Sequence, residues 1–321
     1  MNIIIKTPNF IGDTIMMLGA FELLKIEYPN ALFTIITPKQ CVDIFRKKGI
    51  AKIIVDDTKS HKGKRLSKTF ILIKEIRKEH YDLGFVFHNT LLDAVVFKIS
   101  HIDKTLGYNK ENSKFFLDYW MNIDRTRHYI NHYVYLVNSF LNQKYKKLPS
   151  ISLHSTKSTL INYDIRNVGF VLGGENKGTR SYPVQLSLEL FTLLHKDKIN
   201  IILLGDISDN RNNSIYENHL EKLNTKSINL SGKTSIGEFI DVISSIDLLV
   251  TIDSSAMHIA ASVNTKFITL VGKGTSVFEI VKPKVNFGTY LKKDILDIED
   301  SQLIANIEPE LIRRKIIEEC G

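Results

Sequence analysis

The chain has 321 residues, 43% hydrophobic and 24% charged, with a formal net charge of +8 and a pI of about 9.2. That length exceeds one hydrophobic core and predicts two domains, while an ordinary globular composition without an apolar run of about 18 residues excludes a membrane-spanning helix. The positive balance points to acidic partners, and with no zinc-finger or RNP signature nucleic acid is set aside in favour of a phosphorylated substrate or anionic lipid.

No basic, apolar and small-residue leader precedes the first strand, and Cys41 and Cys320 fit no metal or redox spacing, so a reducing cytoplasmic setting is expected. The chain opens with a buried-strand pattern over 2–7, then Pro8-Asn9-Phe10-Ile11-Gly12-Asp13-Thr14 and an apolar helix to about Tyr28. With Gly12 alone, this loop lacks a dinucleotide fingerprint. It offers instead a lone carboxylate, Asp13, with Pro8 and Gly12 fixing the turn; taken by itself Asp13 is equally a helix cap.

Strands follow over 32–37, 52–56, 82–88 and 104–106, with helices over 39–48, 67–79, 91–100 and 128–141. The alternation implies a parallel sheet wrapped by helices. Between the strands over 52–56 and 82–88 the chain concentrates charge at His61-Lys62-Gly63-Lys64-Arg65-Leu66-Ser67-Lys68, either a solvated loop or a site for an anionic acceptor. The pattern breaks near Pro149, placing the domain boundary between about 149 and 166 and the domains at 1–155 and 156–321.

The second half repeats the rhythm: strands over 167–172, 200–204, 248–251 and 266–271, and helices over 186–195, 212–223, 235–244 and 255–263. A terminal helix over 308–320 could pack back on the N-terminal domain. The expected fold is α/β, two doubly wound Rossmann-like domains facing across a cleft, with ligands beyond the carboxyl ends of the strands. Three loops fall there. The stretch 173–183 carries Gly173, Lys177, Thr179 and Arg180, a glycine, hydroxyl and cation set suited to pyrophosphate. Asp206, or Asp209, suits ribose hydroxyls or a helix cap. Asp253-Ser254-Ser255 runs from a strand into a helix start that offers free N–H groups to phosphate, with His258 one turn on.

Together, Pro8 to Asp13 with Tyr28-Pro29, the 173–183 loop, and Asn229-Leu230-Ser231-Gly232-Lys233-Thr234-Ser235 leading into Asp253-Ser254-Ser255-Ala256-Met257-His258 resemble the ADP-heptose:lipopolysaccharide heptosyltransferases, glycosyltransferase family 9 of GT-B fold. The resemblance implies Asp13 as general base, Arg180 as the phosphate-binding cation, and Asp253, Ser254, Ser255 and His258 on the donor. Departures stand at Ser255 for glycine, Tyr182 for tryptophan, Lys266 for proline, and Val271-Gly272-Lys273-Gly274-Thr275 for Phe-Gly-Pro-Thr.

The implied reaction is an inverting displacement, in which an ADP-sugar serves as co-substrate and no cofactor is needed. No Asp-x-Asp pair follows a strand, so no metal is expected. The expected acceptor is an anionic lipid-linked oligosaccharide, reached by peripheral attraction to the inner-membrane surface, with Asn9, Gly12, Lys62, Lys64, Arg65 and His88, and Lys6 at a strand end, as acceptor-side candidates. Two alternatives stay open, a nucleotide-sugar 2-epimerase and a non-catalytic nucleotide- or carbohydrate-binding module.

Overall fold

The computed structural model describes residues 1–59, 63–274, 277–293 and 303–320. The chain forms two compact units, Met1–His154 and Ser155–Gly321.

The first unit runs β1 (Asn2–Lys6), α1 (Ile11–Glu27), β2 (Leu32–Thr37), β3 (Lys52–Val55), α2 (Arg65–Ile76), β4 (Leu83–Val86), α3 (Leu91–Ile99), β5 (Lys104–Asn109), β6 (Tyr119–Asn122) and α4 (Tyr129–Phe140). Its sheet is parallel, in the order β3-β2-β1-β4-β5-β6. Ile3, Ile4 and Ile5 are all fully buried, as expected of a central strand covered on both faces. Helix α1 is buried without a break from Thr14 to Phe21 and packs on α4, which explains a helix that is apolar almost all round.

The segment expected as a helix over 39–48 instead forms a 3₁₀ turn, Lys39–Phe45. Lys47 and Gly49, both at positive φ (52° and 72°), end it before it can lengthen.

The second unit runs β7 (Arg166–Val171), α5 (Val184–Leu194), β8 (Ile199–Leu203), α6 (Asn210–Lys222), β9 (Ser227–Asn229), α7 (Ile236–Ser245), β10 (Leu248–Ile252), α8 (Ser255–Ser262), β11 (Phe267–Leu270), α9 (Phe278–Val281), β12 (Gly288–Leu291) and α10 (Pro309–Cys320). The parallel order β12-β11-β10-β7-β8-β9 repeats that of the first unit. In each sheet the winding reverses between the first and fourth strands, β1 and β4 or β7 and β10. Loops leaving that point diverge and open a crevice at the carboxyl edge.

The terminal helix α10 packs within its own unit, on α5. Ile312 and Ile316 join that core, and Arg313 holds Asp197 through two bonds of 2.9 and 3.1 Å. Tyr182 is fully buried and donates to the Ile307 carbonyl at 2.6 Å, clamping the segment before α10. Tyr182→Phe strands that carbonyl without a donor, and a loss of about 1–2 kcal/mol in urea unfolding is the expected result.

Candidate active site

In the first unit, β1 delivers Thr7, whose buried hydroxyl donates to that of Thr37 at 2.8 Å. The chain then turns through Pro8 and Asn9 into α1. The N-cap is Phe10, whose side chain caps nothing. Asp13 is the third helical residue, and its carboxylate makes no hydrogen bond or ion pair among the described residues, so the cap reading does not account for it. Gly12 lies in the helix's first turn and has no positive φ, which corrects its expected part in fixing the loop. Burial pushes the Asp13 carboxyl up to about 6, with His88, when its ring is protonated, pulling the other way.

His88 arrives from the end of β4. Its Nδ1 lies 2.5 Å from Asp93 Oδ2, which Thr90 Oγ1 also reaches, and its Nε2 lies 2.7 Å from Asn9 Nδ2. Donation from Nδ1 to the carboxylate leaves Nε2 to accept from the Asn9 amide. Burial alone would raise the Asp93 carboxyl, but the His88 hydrogen bond and nearby Lys6 outweigh it and hold it below the usual range. The β1–α1 and β4–α3 loops are thereby tied together at the first crevice, beside Asp13.

Of the other acceptor-side candidates, Lys64 and Arg65 are exposed at the start of α2, and Lys62 lies outside the described residues. Lys6 is 1% exposed and ion-paired with Asp56 at 2.7 Å. It braces β1 from inside and is no surface for a ligand.

In the second unit, the loop after β7 forms a 3₁₀ turn over Glu175–Arg180, broken at Gly178 (φ 54°, ψ −132°). Gly173 stands at φ +88°, where a Cβ would fall 2.7 Å from Ser181 Oγ. At Gly174 a Cβ would fall 2.5 Å from the Ser208 carbonyl, so this loop can pack against the one after β8 only with glycine there.

Lys177 pairs with Asp206 at 3.4 Å, joining an expected phosphate ligand to an expected ribose ligand. Asp206 also caps a short turn, its Oδ1 accepting from the Ser208 N–H at 2.7 Å. Burial would raise its carboxyl, yet the Ser208 bonds and Lys177 lower it overall. Thr179 is exposed and Arg180 half-buried.

Across the second crevice, Ser254 is the N-cap of α8, its Oγ accepting from the Ala256 N–H at 3.3 Å and paired with Thr251 Oγ1 at 3.1 Å. Ser255 opens the helix. Asp253 is held above the usual carboxylate range by burial, offset in part by Arg180, which places opposite charges on either side of the switch point. His258 is buried in the first turn.

The glycosyltransferase family 9 (heptosyltransferase) model matches residues 69–281. The chain belongs to that family. This glycosyltransferase is 27% identical over 296 residues to lipooligosaccharide heptosyltransferase 2 of Haemophilus influenzae, covering 85% of the chain and 83% of the relative. It superposes on the structure of E. coli ADP-heptose lipopolysaccharide heptosyltransferase II with a TM-score of 0.86 at 19% identity, covering 100% of this chain and 98% of that one. Against the E. coli heptosyltransferase WaaC with ADP-2-deoxy-2-fluoro heptose the TM-score is 0.75 at 14% identity, with 99% of each chain covered. These neighbours share the GT-B fold.

Within the glycosyltransferase, two of the departures from the family pattern belong to the scaffold. Tyr182 is core, and Lys266 is an exposed residue that reaches the Glu319 carbonyl at 3.0 Å. The Asn229 to Ser235 motif is structural in the same way. Gly232, at φ +67°, lies where a Cβ would meet Ile207 at 2.8 Å, and Ser235 closes a capping box with Glu238 at the start of α7.

Asp93, which sets the His88 ring, was not among the expected residues. Its signal was present as Thr90-x-x-Asp93 ahead of an apolar run, a helix-start pattern that does not announce a histidine partner. The three candidate metal ligands His80, Asp82 and Asp103 gather at the amino ends of β4 and β5, away from both crevices.

Proposed function

We propose that this glycosyltransferase moves a heptose from an ADP-heptose donor to the core of a lipopolysaccharide or lipooligosaccharide, an anionic, lipid-linked acceptor at the cytoplasmic face of the inner membrane. The observation that carries this reading is Asp13, a half-buried carboxylate without a partner among the described residues and pushed up to about 6, standing at a switch point. A carboxylate so placed is ionised near neutral pH yet basic enough to take a proton. The relatives, heptosyltransferases named for ADP-heptose and for lipopolysaccharide or lipooligosaccharide, supply the donor and acceptor classes.

In the proposed step the acceptor hydroxyl gives its proton to Asp13 while its oxygen bonds to the anomeric carbon. The bond from that carbon to the diphosphate breaks on the opposite face, inverting the centre and releasing ADP. A nucleoside diphosphate is already a stable anion, so positive charge serves where a glycosidase needs a second carboxylic acid. Lys177, Arg180 and the α8 helix start at Ser254 and Ser255 supply that charge and the N–H groups, with Gly173 and Thr179 shaping the phosphate loop. Asp253 and Asp206 accept from sugar hydroxyls, and His258 supports the helix start. Asn9, Gly12 and His88 frame the acceptor, with Lys64 and Arg65 meeting its anionic groups.

The test is to incubate the protein with ADP-heptose, with and without deacylated core oligosaccharide, in excess chelator, and to follow products by mass spectrometry. Transfer that needs the acceptor and survives chelation is expected. Free sugar released from donor alone would favour the epimerase reading, binding without turnover the module, and activity lost to chelator and restored by a divalent cation would refute metal independence.

A further inference from the structure

Helix α2 is apolar on two faces, and the fold uses only one. Thr69, Leu72, Ile73 and Ile76 are buried against the sheet. Leu66, Phe70 and Ile71 are 76%, 65% and 60% exposed. At 100° per residue, positions 66, 70, 74, 67 and 71 follow one another around the outward side, so these three apolar side chains form a single surface with Lys74 in its middle.

The charge around that surface has one sign. Lys64, Arg65 and Lys74 make no ion pair among the described residues. Glu75, the acid of this helix, is engaged by Lys52 at 3.0 Å and Lys78 at 2.5 Å. Lys68 pairs with Asp57 at 3.5 Å.

Apolar side chains flanked by unpaired cations match an interfacial helix, which lies in the headgroup plane by burying its apolar face while its lysines and arginines meet anionic lipid. A protein partner with an apolar groove would leave these cations without counter-charge unless it were also acidic. No helix among the described residues is long and apolar enough to cross a membrane, so contact of this kind would be peripheral. The position also suits the chemistry. Helix α2 begins at the carboxyl end of β3, the same edge of the sheet at which β1 leads to Asp13, and Phe10, 75% exposed, lies on that edge too.

We propose that the outward face of α2, Leu66, Phe70 and Ile71 with Lys74, docks on an anionic bilayer surface and presents the Asp13 edge of the first unit to the lipid-linked acceptor. The proposal rests on the reading of the acceptor as lipid-linked, but its test needs neither acceptor nor turnover. The full chain is sedimented with vesicles of phosphatidylcholine containing phosphatidylglycerol and with vesicles of phosphatidylcholine alone. Binding to the anionic vesicles that weakens with salt is expected.

Phe70→Ser with Ile71→Ser should weaken that binding about tenfold or more, and Lys74→Glu severalfold. Both variants should keep the wild-type melting temperature and the wild-type rate on a deacylated, soluble acceptor. A wrong acceptor sugar would abolish only the rate measurement and leave vesicle binding intact. Failure of the wild type to sediment with anionic vesicles, a double variant that binds as well as wild type, or a wild-type dimer that the double variant converts to monomer would each overturn the proposal.

Discussion

Asp13→Asn is expected to cut turnover by about 10³-fold or more while making the protein more stable at pH 8. The two effects share one cause. In the folded chain burial holds the carboxyl at about 6, against an ordinary value of 3.8. Above pH 6 the group is ionised in both states, and the folded state carries the cost of an ionised, partly desolvated carboxylate, up to about 3 kcal/mol at 1.36 kcal/mol per pKa unit. As pH falls through 6 the folded state takes up the proton first, so the penalty shrinks, and below 3.8 it is gone.

Asparagine keeps the shape without the charge but brings an amide that also wants partners. The expected gain is therefore about 1–3 kcal/mol in urea unfolding at pH 8, fading towards pH 4. The wild-type kcat/KM should meanwhile fall about tenfold per pH unit below 6, as the base is lost to protonation. A variant that keeps its turnover removes Asp13 from the chemistry. One that loses turnover without gaining stability at pH 8 removes burial as the reason for its basicity.

The central strands were legible because burial on both faces demands an unbroken apolar run, as in Ile3-Ile4-Ile5 and Leu248-Leu249-Val250. The strands that went unread, β6, β9 and β12, are all sheet edges. The side chains of β6 alternate between half-buried and exposed, β9 is three residues long, and β12 starts at a glycine, so none carries the pattern. The site shows the same division. Asp13, Arg180 and Asp253 lie in local motifs at strand ends and could be singled out from the sequence. That Asn9 meets His88, or that Lys177 meets Asp206, depends on which strands are neighbours, and the Asp13 shift depends on packing from distant segments. Lys6 shows the converse error: a cation at a strand end looks available until Asp56, fifty positions on, is found to hold it in the interior.

Arg180→Gln should lower kcat by about 10²–10³-fold, the range for removing a preorganised group aimed at developing charge. As the proposed donor site runs, the diphosphate gains negative charge as the anomeric bond breaks, so a cation held beside it stabilises the transition state more than the bound donor. The effect should accordingly fall on kcat more than on donor affinity. Asp253 makes the consequence larger than the loss of one contact. Burial already raises its carboxyl and Arg180 offsets part of that rise, so without the guanidinium the Asp253 carboxyl rises further, towards a protonated group that accepts sugar hydroxyls less well. Arg180→Lys separates the two roles. It keeps the charge that restrains Asp253 but loses the planar fork, and should recover part of the activity. If lysine and glutamine are equally impaired, fork geometry is what matters; if both variants turn over like wild type, Arg180 does not meet the leaving phosphate, and Lys177 with the α8 helix start must carry that charge instead.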